Sequence, residues 1–427
     1  MINLKKLCLS TSLALGLVST LAGTMAIPAN ARAETEITFY HYQTGNFKAL
    51  RALFDEFEAA NPDIKVKDVF AQSRQITGVL QAALAADRPV DIATVIGKNI
   101  SFFLNNTNAV DMVEASKGDT AWLEAYLPNF LDLGRSGDAI YAIPHAYGTP
   151  MIYYNKDIFE KAGLDPQTPP ATWDAFLEMG TTIMDKTGMA GGAHLQASMG
   201  DYGTMVMVNN AGATYLNAAG TRAEFDTPDG IAALQNWQDM ATSGMMPIAS
   251  DKDWGTAFMA GQMGMYITSS AALRGFNAAS KDKFELGVAN YPLFGDHPRR
   301  VSNSGAALML YAPEGARREA SMALLRFISQ KPIANRWARE SGYMPLVRDP
   351  LSDPEMKAYV DSFPLVAPVI AQMADTVPTN VWPAKGTLEA QTIIRAMLDE
   401  LWAAERPAAE IVPEAVAAVN ASLSPNF

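Results

Sequence analysis

Residues 143–173, IPHAYGTPMIYYNKDIFEKAGLDPQTPPATW, decide the fold because they place a strand and two helices in a fixed order. The run Met151–Tyr154 consists of large β-prone residues that follow a proline, which is tolerated where a strand begins. A short helix is expected over Ile158–Ala162, with Gly163 as its end. The proline-rich loop after it cannot be helical, and Thr172 is suited to cap the next helix. The segment therefore predicts a strand–helix–loop–helix unit of an α/β protein.

The chain before this segment alternates short apolar strands with amphipathic helices. We expect these elements, in turn, at 36–42, 47–60, 64–70, 76–86 and 89–96. Such alternation favours a lobe with a parallel sheet, and the almost entirely apolar third strand is typical of one. Ligands bind beyond the carboxyl ends of parallel strands. The loops at 42–46, 71–74 and 97–99 are therefore expected to face a binding site.

The first 33 residues have the pattern of a secretory signal peptide. Lys5 and Lys6 form a basic start, and Leu7–Leu21 is an apolar core followed by the small-residue motif at 31–33. The core is shorter than the roughly 20 apolar residues that span a bilayer. We therefore expect cleavage before Glu34, export to the periplasm, and a mature chain long enough for two lobes.

Composition excludes several classes of protein. Cys8 is the only cysteine and lies in the signal, so the mature chain is expected to hold no disulfide, cysteine nucleophile or thiolate metal site. The formal net charge is −12, and it becomes −15 once Lys5, Lys6 and Arg32 are removed with the signal. This acidity argues against nucleic acid and anionic membrane as partners.

Four blocks of sequence carry a resemblance to a known family. They are TPMIYYNKDIFEKAGLDP at 149–166, WGTAFMAGQMGMYITSS at 254–270, VSNSGAALML at 301–310 and WARESGYMPL at 337–346. Together, and in this order, they resemble the family 1 extracellular solute-binding proteins of bacterial ABC importers. The resemblance covers nearly all of the mature chain.

The resemblance implies an α/β, two-lobed periplasmic-binding-protein fold of type II, with a ligand cleft between lobes joined by hinge crossings. Lobe 1 would begin with 34–144, and lobe 2 with 145–300. The chain would return to lobe 1 over 301–345 and finish in lobe 2 with the C-terminal helices of 346–427. The crossings are expected near 144–147, 300–303 and 343–346.

Nothing in the sequence indicates catalysis. The histidines are His41, His145, His194 and His297, and no zinc, nucleotide-binding or nucleophile-elbow motif is present. His41 and His145 flank expected site loops, where single histidines are more often hydrogen-bond donors than bases. A pair of catalytic carboxylates is not excluded by counting. No catalytic residue, metal ligand or cofactor is therefore assigned, although an exported carbohydrate-active enzyme stays an alternative.

The resemblance also implies which residues line the cleft. The ligand-binding candidates are Tyr42, Gln43, Arg74, Tyr147, Tyr202, Trp254, Ser269, Ser270, Asn303, Ser304, Gly305, Tyr343 and Trp382. Aromatic rings would stack on a sugar or aliphatic face, and amides and hydroxyls would fix orientation. For each aromatic residue the alternative is a place in the core. The pocket is favoured for Tyr343, and the two places are equal for Trp254 and Trp382.

The ligand class stays open between a neutral sugar or polyol and an anionic glycerol-phosphate-like or sulfonated sugar. The blocks are similar to those of glycerol-3-phosphate-type binding proteins, but Arg74 replaces a tyrosine, and Tyr202 is the nearest aromatic to a missing tryptophan. The arginine that binds phosphate in those proteins is absent near Trp382, where only Lys385 is found. Arg74 would either pair with an anionic ligand or form a surface ion pair. The expected partners are a small solute and the permease subunits of an ABC importer, with the protein itself a monomer.

Overall fold

The computed structural model describes residues 34–43, 45–72, 75–194, 196–217, 219–246, 251–380, 382 and 386–423, with only the backbone at 196–200 and 251–252. Over these residues the chain forms two main sheets flanked by helices. None of the helices among them is both long and apolar enough to cross a membrane.

Thirteen strands occur in the described residues. They are β1 (Thr35–His41), β2 (Ile64–Phe70), β3 (Ile92–Ile96), β4 (Arg135–Ser136), β5 (Ala139–Ile140), β6 (Ala142–Gly148), β7 (Pro150–Asn155), β8 (Ala190–His194), β9 (Met263–Ser269), β10 (Leu286–Ala289), β11 (Val301–Ser302), β12 (Ser304–Leu310) and β13 (Thr376–Val377).

Seventeen α-helices accompany these strands in the same part of the chain. They are α1 (Phe47–Ala60), α2 (Ile76–Ala85), α3 (Ile100–Asn106), α4 (Met112–Ala115), α5 (Pro128–Leu131), α6 (Lys156–Ala162), α7 (Trp173–Thr187), α8 (Gln196–Asn210), α9 (Pro228–Thr242), α10 (Asp251–Met259), α11 (Leu273–Ser280), α12 (Ala316–Ile328), α13 (Lys331–Ser341), α14 (Pro354–Ser362), α15 (Ala367–Ala371), α16 (Thr387–Ala403) and α17 (Ala408–Leu423). Short 3₁₀ segments lie at Gly97–Asn99, Ala121–Ala125, Asp132–Gly134, Ser270–Ala272, Pro350–Ser352, Pro364–Val366 and Gln372–Asp375.

The sheet of lobe 1 has the strand order β2-β1-β3-β12-β6. Strand β1 is parallel to both β2 and β3, which confirms the parallel arrangement that the alternating pattern predicted. Strand β12 runs antiparallel between β3 and β6, although it comes much later in the chain. The segment with which the chain returns to lobe 1 therefore forms an internal strand of the sheet and not an edge strand.

The sheet of lobe 2 has the strand order β10-β7-β9-β8. Strand β7 is buried along its length and pairs antiparallel with β9 and β10. Helix α7 approaches β8 so closely that a Cβ on Gly191 would lie 1.9 Å from the carbonyl oxygen of Gly180. Only glycine permits this contact between helix and sheet.

The local signals at the opening segment are largely confirmed. The Thr172 hydroxyl accepts a hydrogen bond from the Ala175 amide at 3.2 Å and caps α7, and Gly163 ends α6 with φ of 81°. The sequence of residues 120–131 also predicts a single helical stretch, and this prediction is wrong, because the structure has a 3₁₀ segment there followed by the separate helix α5. Pro128 starts that second helix, since proline fits only a first turn.

The glycines at 191, 192, 200 and 203 predict a region rich in loops, and the structure differs from this prediction. The region forms β8 and then α8, a helix that includes Gly200 and Gly203. Each glycine costs a helix about 1 kcal/mol relative to alanine. Burial outweighs that cost, since Met205–Val208 are all at most 3% exposed.

The chain passes from lobe 1 to lobe 2 between β6, which ends at Gly148, and β7, which begins at Pro150. This crossing is later than the boundary expected between 144 and 145. The Gln372 side-chain amide donates to the Thr149 hydroxyl and to the Pro150 carbonyl oxygen, both at 2.8 Å. Gln372 is fully buried, so it fixes the start of β7.

A second junction between the lobes is a two-stranded ribbon. Strand β11 pairs in parallel with β13, and the Asn303 amide donates to the Val377 carbonyl oxygen at 3.0 Å. The expected crossing at 300–303 therefore coincides with a ribbon. Its other strand, β13, was not foreseen from the sequence because two residues give no periodic signal.

Two buried histidines link stability to pH. Burial lowers the pKa of both His145 and His194 to about 3, from an ordinary value of 6.5. His145 stacks on Trp337 with ring centroids 4.9 Å apart, and His194 Nε2 lies 2.9 Å from the Tyr291 hydroxyl. The unfolded chain thus binds protons at higher pH than the folded chain does, so these groups destabilise the fold as the pH falls from 6.5 toward 3.

We expect the free energy of unfolding to depend less on pH in His194→Gln than in the wild type. Each buried histidine contributes a slope of about 1.4 kcal/mol per pH unit in this window. Urea unfolding between pH 6.5 and 5 measures the slope before most carboxylates titrate. His297→Gln is the control, because His297 is exposed. Equal slopes in the two variants would contradict the assignment.

Candidate functional site

A cavity of about 790 Å³ opens at the carboxyl edge of the lobe 1 sheet and is closed on its other side by α8 and α16. Its lining consists of Tyr42, Ile96, Gly97, Lys98, Asp201, Tyr202, Met205, Ser304, Gly305, Thr379, Asn380, Leu388, Gln391, Thr392 and Arg395. Strands β1 and β3 are parallel, so the residues that follow them meet at one edge. The cavity therefore lies where strand-end loops of one lobe face helices of the other.

A second recess, of about 640 Å³, lies at the opposite edge of the same sheet. Val90 just before β3 and Tyr311 just after β12 line it together with Arg88 and Arg317. None of the predicted site residues belongs to it. The recess and the cleft cavity therefore lie at opposite ends of the strands of this sheet.

Four of the predicted residues line the cleft cavity, namely Tyr42, Tyr202, Ser304 and Gly305. The Tyr202 hydroxyl donates to the Ser302 carbonyl oxygen at 2.8 Å, which fixes its ring against the ribbon of β11. Gly305 has φ of 137°, and a Cβ there would lie 1.8 Å from the Ala146 carbonyl oxygen. Glycine is therefore required at this point, and its backbone borders the cavity.

Two more predicted residues support Tyr42 from behind. The Tyr343 phenol lies against Tyr42 and Gln43, and its ring lies 6.3 Å from that of Trp337. Burial raises the pKa of Tyr42 well above its ordinary value, and the neighbouring Tyr343 raises it further. Burial also raises the pKa of Tyr343, against the effect of hydrogen bonding to the other two side chains. Both phenols therefore stay neutral and can act as donors.

Gln43 is held by the strand that precedes it. Its backbone amide donates to His41 Nδ1 at 3.2 Å, and its side chain is 2% exposed. The Gln43 side-chain nitrogen is near enough to affect Tyr343, yet it has no partner of good hydrogen-bond geometry among the described residues. Gln43 does not line the cavity, so it supports the phenols from within the lobe.

Trp382 and Asn303 are buried beside the cavity. Trp382 is 4% exposed and packs edge-on against Tyr215 at 5.4 Å. Asn303 is fully buried in the ribbon between the lobes, and neither atom of its side-chain amide has a hydrogen-bond partner within the described ranges. These residues form the wall and the hinge rather than the cavity lining.

The structure places two predicted aromatic residues in the core. Tyr147 is 1% exposed and packs edge-on against Phe130 at 6.0 Å. Trp254 is also 1% exposed and lies 6.4 Å from Trp402. Neither lines the cavity. The apolar pattern of α10 serves packing of helix against helix.

The two predicted serines stabilise the first crossing. The Ser270 hydroxyl accepts a hydrogen bond from the Thr149 amide at 3.2 Å, and Ser269 caps a 3₁₀ turn through the Ala271 amide at 3.3 Å. Gly148 lies against both serines, since a Cβ there would be 2.6 Å from the Ser269 hydroxyl. Neither serine lines the cavity. Arg74 and Lys385 lie outside the described residues.

Three ionisable residues that line the cavity were not among the predicted site residues: Lys98, Asp201 and Arg395. Lys98 follows β3, and the strand-end rule that marked the loop at 97–99 gave a signal for it. Asp201 and Arg395 lie on helices, where the inward face is set by packing and not by any motif. Burial raises the pKa of Asp201, while the positive charge of Lys98 opposes that rise.

Comparisons with known proteins agree with this architecture. A family model described as bacterial extracellular solute-binding protein matches residues 52–364. The sn-glycerol-3-phosphate-binding periplasmic protein UgpB of Pectobacterium atrosepticum is 25% identical over 419 residues, which are 92% of this chain and 93% of that protein. The UgpB of Agrobacterium fabrum is 26% identical over 375 residues, which are 83% of this chain and 84% of that protein.

Solved structures share the fold. The cyclic alpha-maltosyl-1,6-maltose binding protein from Arthrobacter globiformis has a TM-score of 0.82 and 25% identity, over 92% of this chain and 99% of that one. UgpB from Mycobacterium tuberculosis, in complex with glycerophosphocholine, has a TM-score of 0.78 and 21% identity over the same shares. Both resemble this chain over its two lobes.

The family model covers well over half of the sequence, and the two-lobed fold with its interlobe cavity agrees with it. The chain belongs to the bacterial extracellular solute-binding protein family. The curated relatives are periplasmic binding proteins rather than enzymes.

We expect Tyr343→Phe to weaken binding of a solute in the cleft about tenfold, because its hydroxyl supports Tyr42 and Gln43. The free energy of unfolding should fall by only about 1 kcal/mol. Titration calorimetry and urea unfolding measure the two effects. Tyr311→Phe is the control, since Tyr311 lies in the recess at the opposite sheet edge. Unchanged affinity in Tyr343→Phe would show that the cluster does not serve binding.

Proposed function

We propose that the protein captures a carbohydrate or polyol-type solute in the periplasm and delivers it to the permease of an ABC importer. The observation that carries this proposal is the cavity of about 790 Å³, lined by phenols, hydroxyls and amides from both lobes. Sites for small ligands commonly measure about 300–1,000 Å³. The cavity is therefore large enough for a sugar or a small oligosaccharide.

The names of similar proteins support this proposal. One relative is named as a binder of sn-glycerol 3-phosphate, and a protein of the same fold is named as a binder of cyclic alpha-maltosyl-1,6-maltose. Both ligands carry several hydroxyl groups. The apparent signal at 1–33, which lies outside the described residues, and the periplasmic relatives support delivery from the periplasm.

The proposed mechanism is hinge closure. Lobe 1 presents Tyr42 and Lys98, and lobe 2 presents α8 and α16 across the cavity. The lobes are joined through Thr149 and through the ribbon of β11 and β13. A solute that contacts both lobes binds the closed form better than the open form and therefore shifts the population toward closure. The closed form would dock on the permease.

A second candidate ligand class is anionic, and a specific observation favours it. Two cations, Lys98 and Arg395, line the cavity beside a single carboxylate among the described lining residues, although the whole chain has a net charge of −12. Positively charged side chains that line a cavity attract an anion such as a phosphate or sulfonate. A glycerol-phosphate-like or sulfonated sugar would satisfy both this charge and the hydroxyl-rich lining.

We expect a thermal-shift screen of the exported, ligand-stripped protein to reveal the class. Mono- and disaccharides, polyols, glycerol 3-phosphate, glycerophosphodiesters and sulfonated sugars form the panel. A ligand at a hundred times its Kd stabilises the fold by about 2.7 kcal/mol. Silence across the panel from a folded protein would contradict the proposed solute class.

Charge variants then separate the two classes. Lys98→Ala should weaken an anionic ligand by about 10- to 100-fold and leave a neutral sugar unchanged, because hydrogen bonds to charged groups contribute about 1.5–3 kcal/mol. Lys281→Ala is the control, since Lys281 is exposed and away from the cavity. Recovery of the bound solute chemically unaltered supports binding over catalysis, and turnover would contradict it.

A further inference from the structure

Asp201 is the one carboxylate among the described residues that line the cleft cavity. It lies on α8, in the wall that lobe 2 presents to Tyr42 and Lys98. The residue is half-buried, so part of its side chain borders the space that a bound solute would occupy.

The carboxylate has neighbours from both lobes. Its pKa is raised by burial, and the opposing influences are the charge of Lys98, the backbone amide of Tyr202 and the side chains of Trp382 and Gln391. The Trp382 indole nitrogen affects this pKa, but it is buried without a partner of good hydrogen-bond geometry in the described part of the chain. The contact is thus a loose one that leaves acceptor capacity on the carboxylate.

The wall behind Asp201 is rigid. Tyr215 packs edge-on against Trp382 and stacks on Phe225 at 5.1 Å with the rings 10° apart. The Tyr215 hydroxyl is fully buried and has no hydrogen-bond partner among the described residues. Burial raises the pKa of Tyr215, and the negative charge of Asp201 raises it further, so the phenol and the carboxylate are neighbours.

We propose that Asp201 is a specificity-determining residue that accepts hydrogen bonds from adjacent hydroxyl groups of the solute. This inference rests on the proposed function and names what the site requires of its ligand. An ionised carboxylate has two oxygens and only accepts hydrogen bonds. Hydroxyl groups donate to it without bringing charge. A solute whose hydroxyls are methylated or absent cannot donate to the carboxylate and should therefore bind more weakly.

Charge limits which other ligand groups could occupy this position. A ligand anion in direct contact with Asp201 would be repelled by the carboxylate. An anionic end of the solute would therefore lie away from Asp201, where Lys98 and Arg395 supply positive charge. We therefore expect Asp201 to contact the hydroxyl-bearing part of the solute, whichever ligand class it belongs to.

The two phenols of the lining do not mimic Asp201 in a pH titration. Burial raises the pKa of both Tyr42 and Tyr202, so neither changes its charge state as the pH falls below 7. Because its pKa is raised, Asp201 takes up its proton earlier than an exposed aspartate as the pH falls. Protonation removes acceptor capacity, so affinity for a hydroxyl-bearing solute falls with pH.

The test uses sn-glycerol 3-phosphate and maltose as probes of the exported protein. Isothermal titration calorimetry gives Kd from pH 7 to 4.5 for the wild type, Asp201→Asn and Asp296→Asn. Asp296 is exposed and serves as the control. We expect Asp201→Asn to weaken the probe that binds by about 10- to 100-fold at pH 7. The wild type and Asp296→Asn should lose affinity more steeply than Asp201→Asn as the pH falls.

Two results would overturn the inference. One is equal affinity of Asp201→Asn and wild type at pH 7. The other is a wild-type pH profile parallel to that of Asp201→Asn, which would assign the decline to the probe. If Asp201→Asn misfolds, as seen by its melting temperature, Asp201→Ala takes its place in the same comparison. Failure of both probes to bind the wild type, together with silence across the whole panel of solutes, contradicts the proposed solute class itself, and the inference with it.

Discussion

The position of β12 is the constraint on which the two-lobed arrangement depends. This strand pairs with β3 on one side and β6 on the other, so it completes the lobe 1 sheet from within. All strands of lobe 2 precede it in the chain. The chain must therefore leave lobe 1, build a second sheet and return. This path creates the junctions at Thr149 and at the ribbon of β11 and β13. Lobe closure is then a motion about these few backbone segments.

The cleft is built from two kinds of element. Lobe 1 contributes short segments after strands, which place Tyr42 and Lys98 by the direction of the sheet. Lobe 2 contributes helix faces, which place Asp201 and Arg395 by packing. Tyr343 lies behind the first group and joins Tyr42 to the core through Trp337. A solute that contacts both surfaces links the edge of the lobe 1 sheet to the helices of lobe 2.

Sequence patterns predicted the α/β lobe and its parallel strands because periodicity and strand-end rules depend on local residues. The two-lobed fold, and the place of Tyr42, Tyr202, Ser304 and Gly305 at the cleft, were expected from the family resemblance. The same patterns could not separate a core tryptophan such as Trp254 from a lining one, since both occupy the apolar side of a helix. Arg395 was missed for the related reason that its inward orientation follows from the packing of α16.

The first crossing shows a further limit of sequence analysis. Residues 142–148 are compatible both with a strand followed by a hinge and with a longer strand, and the structure continues β6 to Gly148. Gln372, which is distant in the chain, donates hydrogen bonds to Thr149 and Pro150 and so fixes the point where β7 begins. Such a contact has no local signature.

The late place of β12 in the chain also bears on the order of folding. The lobe 1 sheet lacks an internal strand until residue 310 has been synthesised, so β3 and β6 have no partner between them for most of the chain's emergence. Closing so long a loop is slow, because its entropic cost precedes any pairing gain. The strands of lobe 1 that precede residue 148 therefore cannot complete their sheet until β12 has been synthesised.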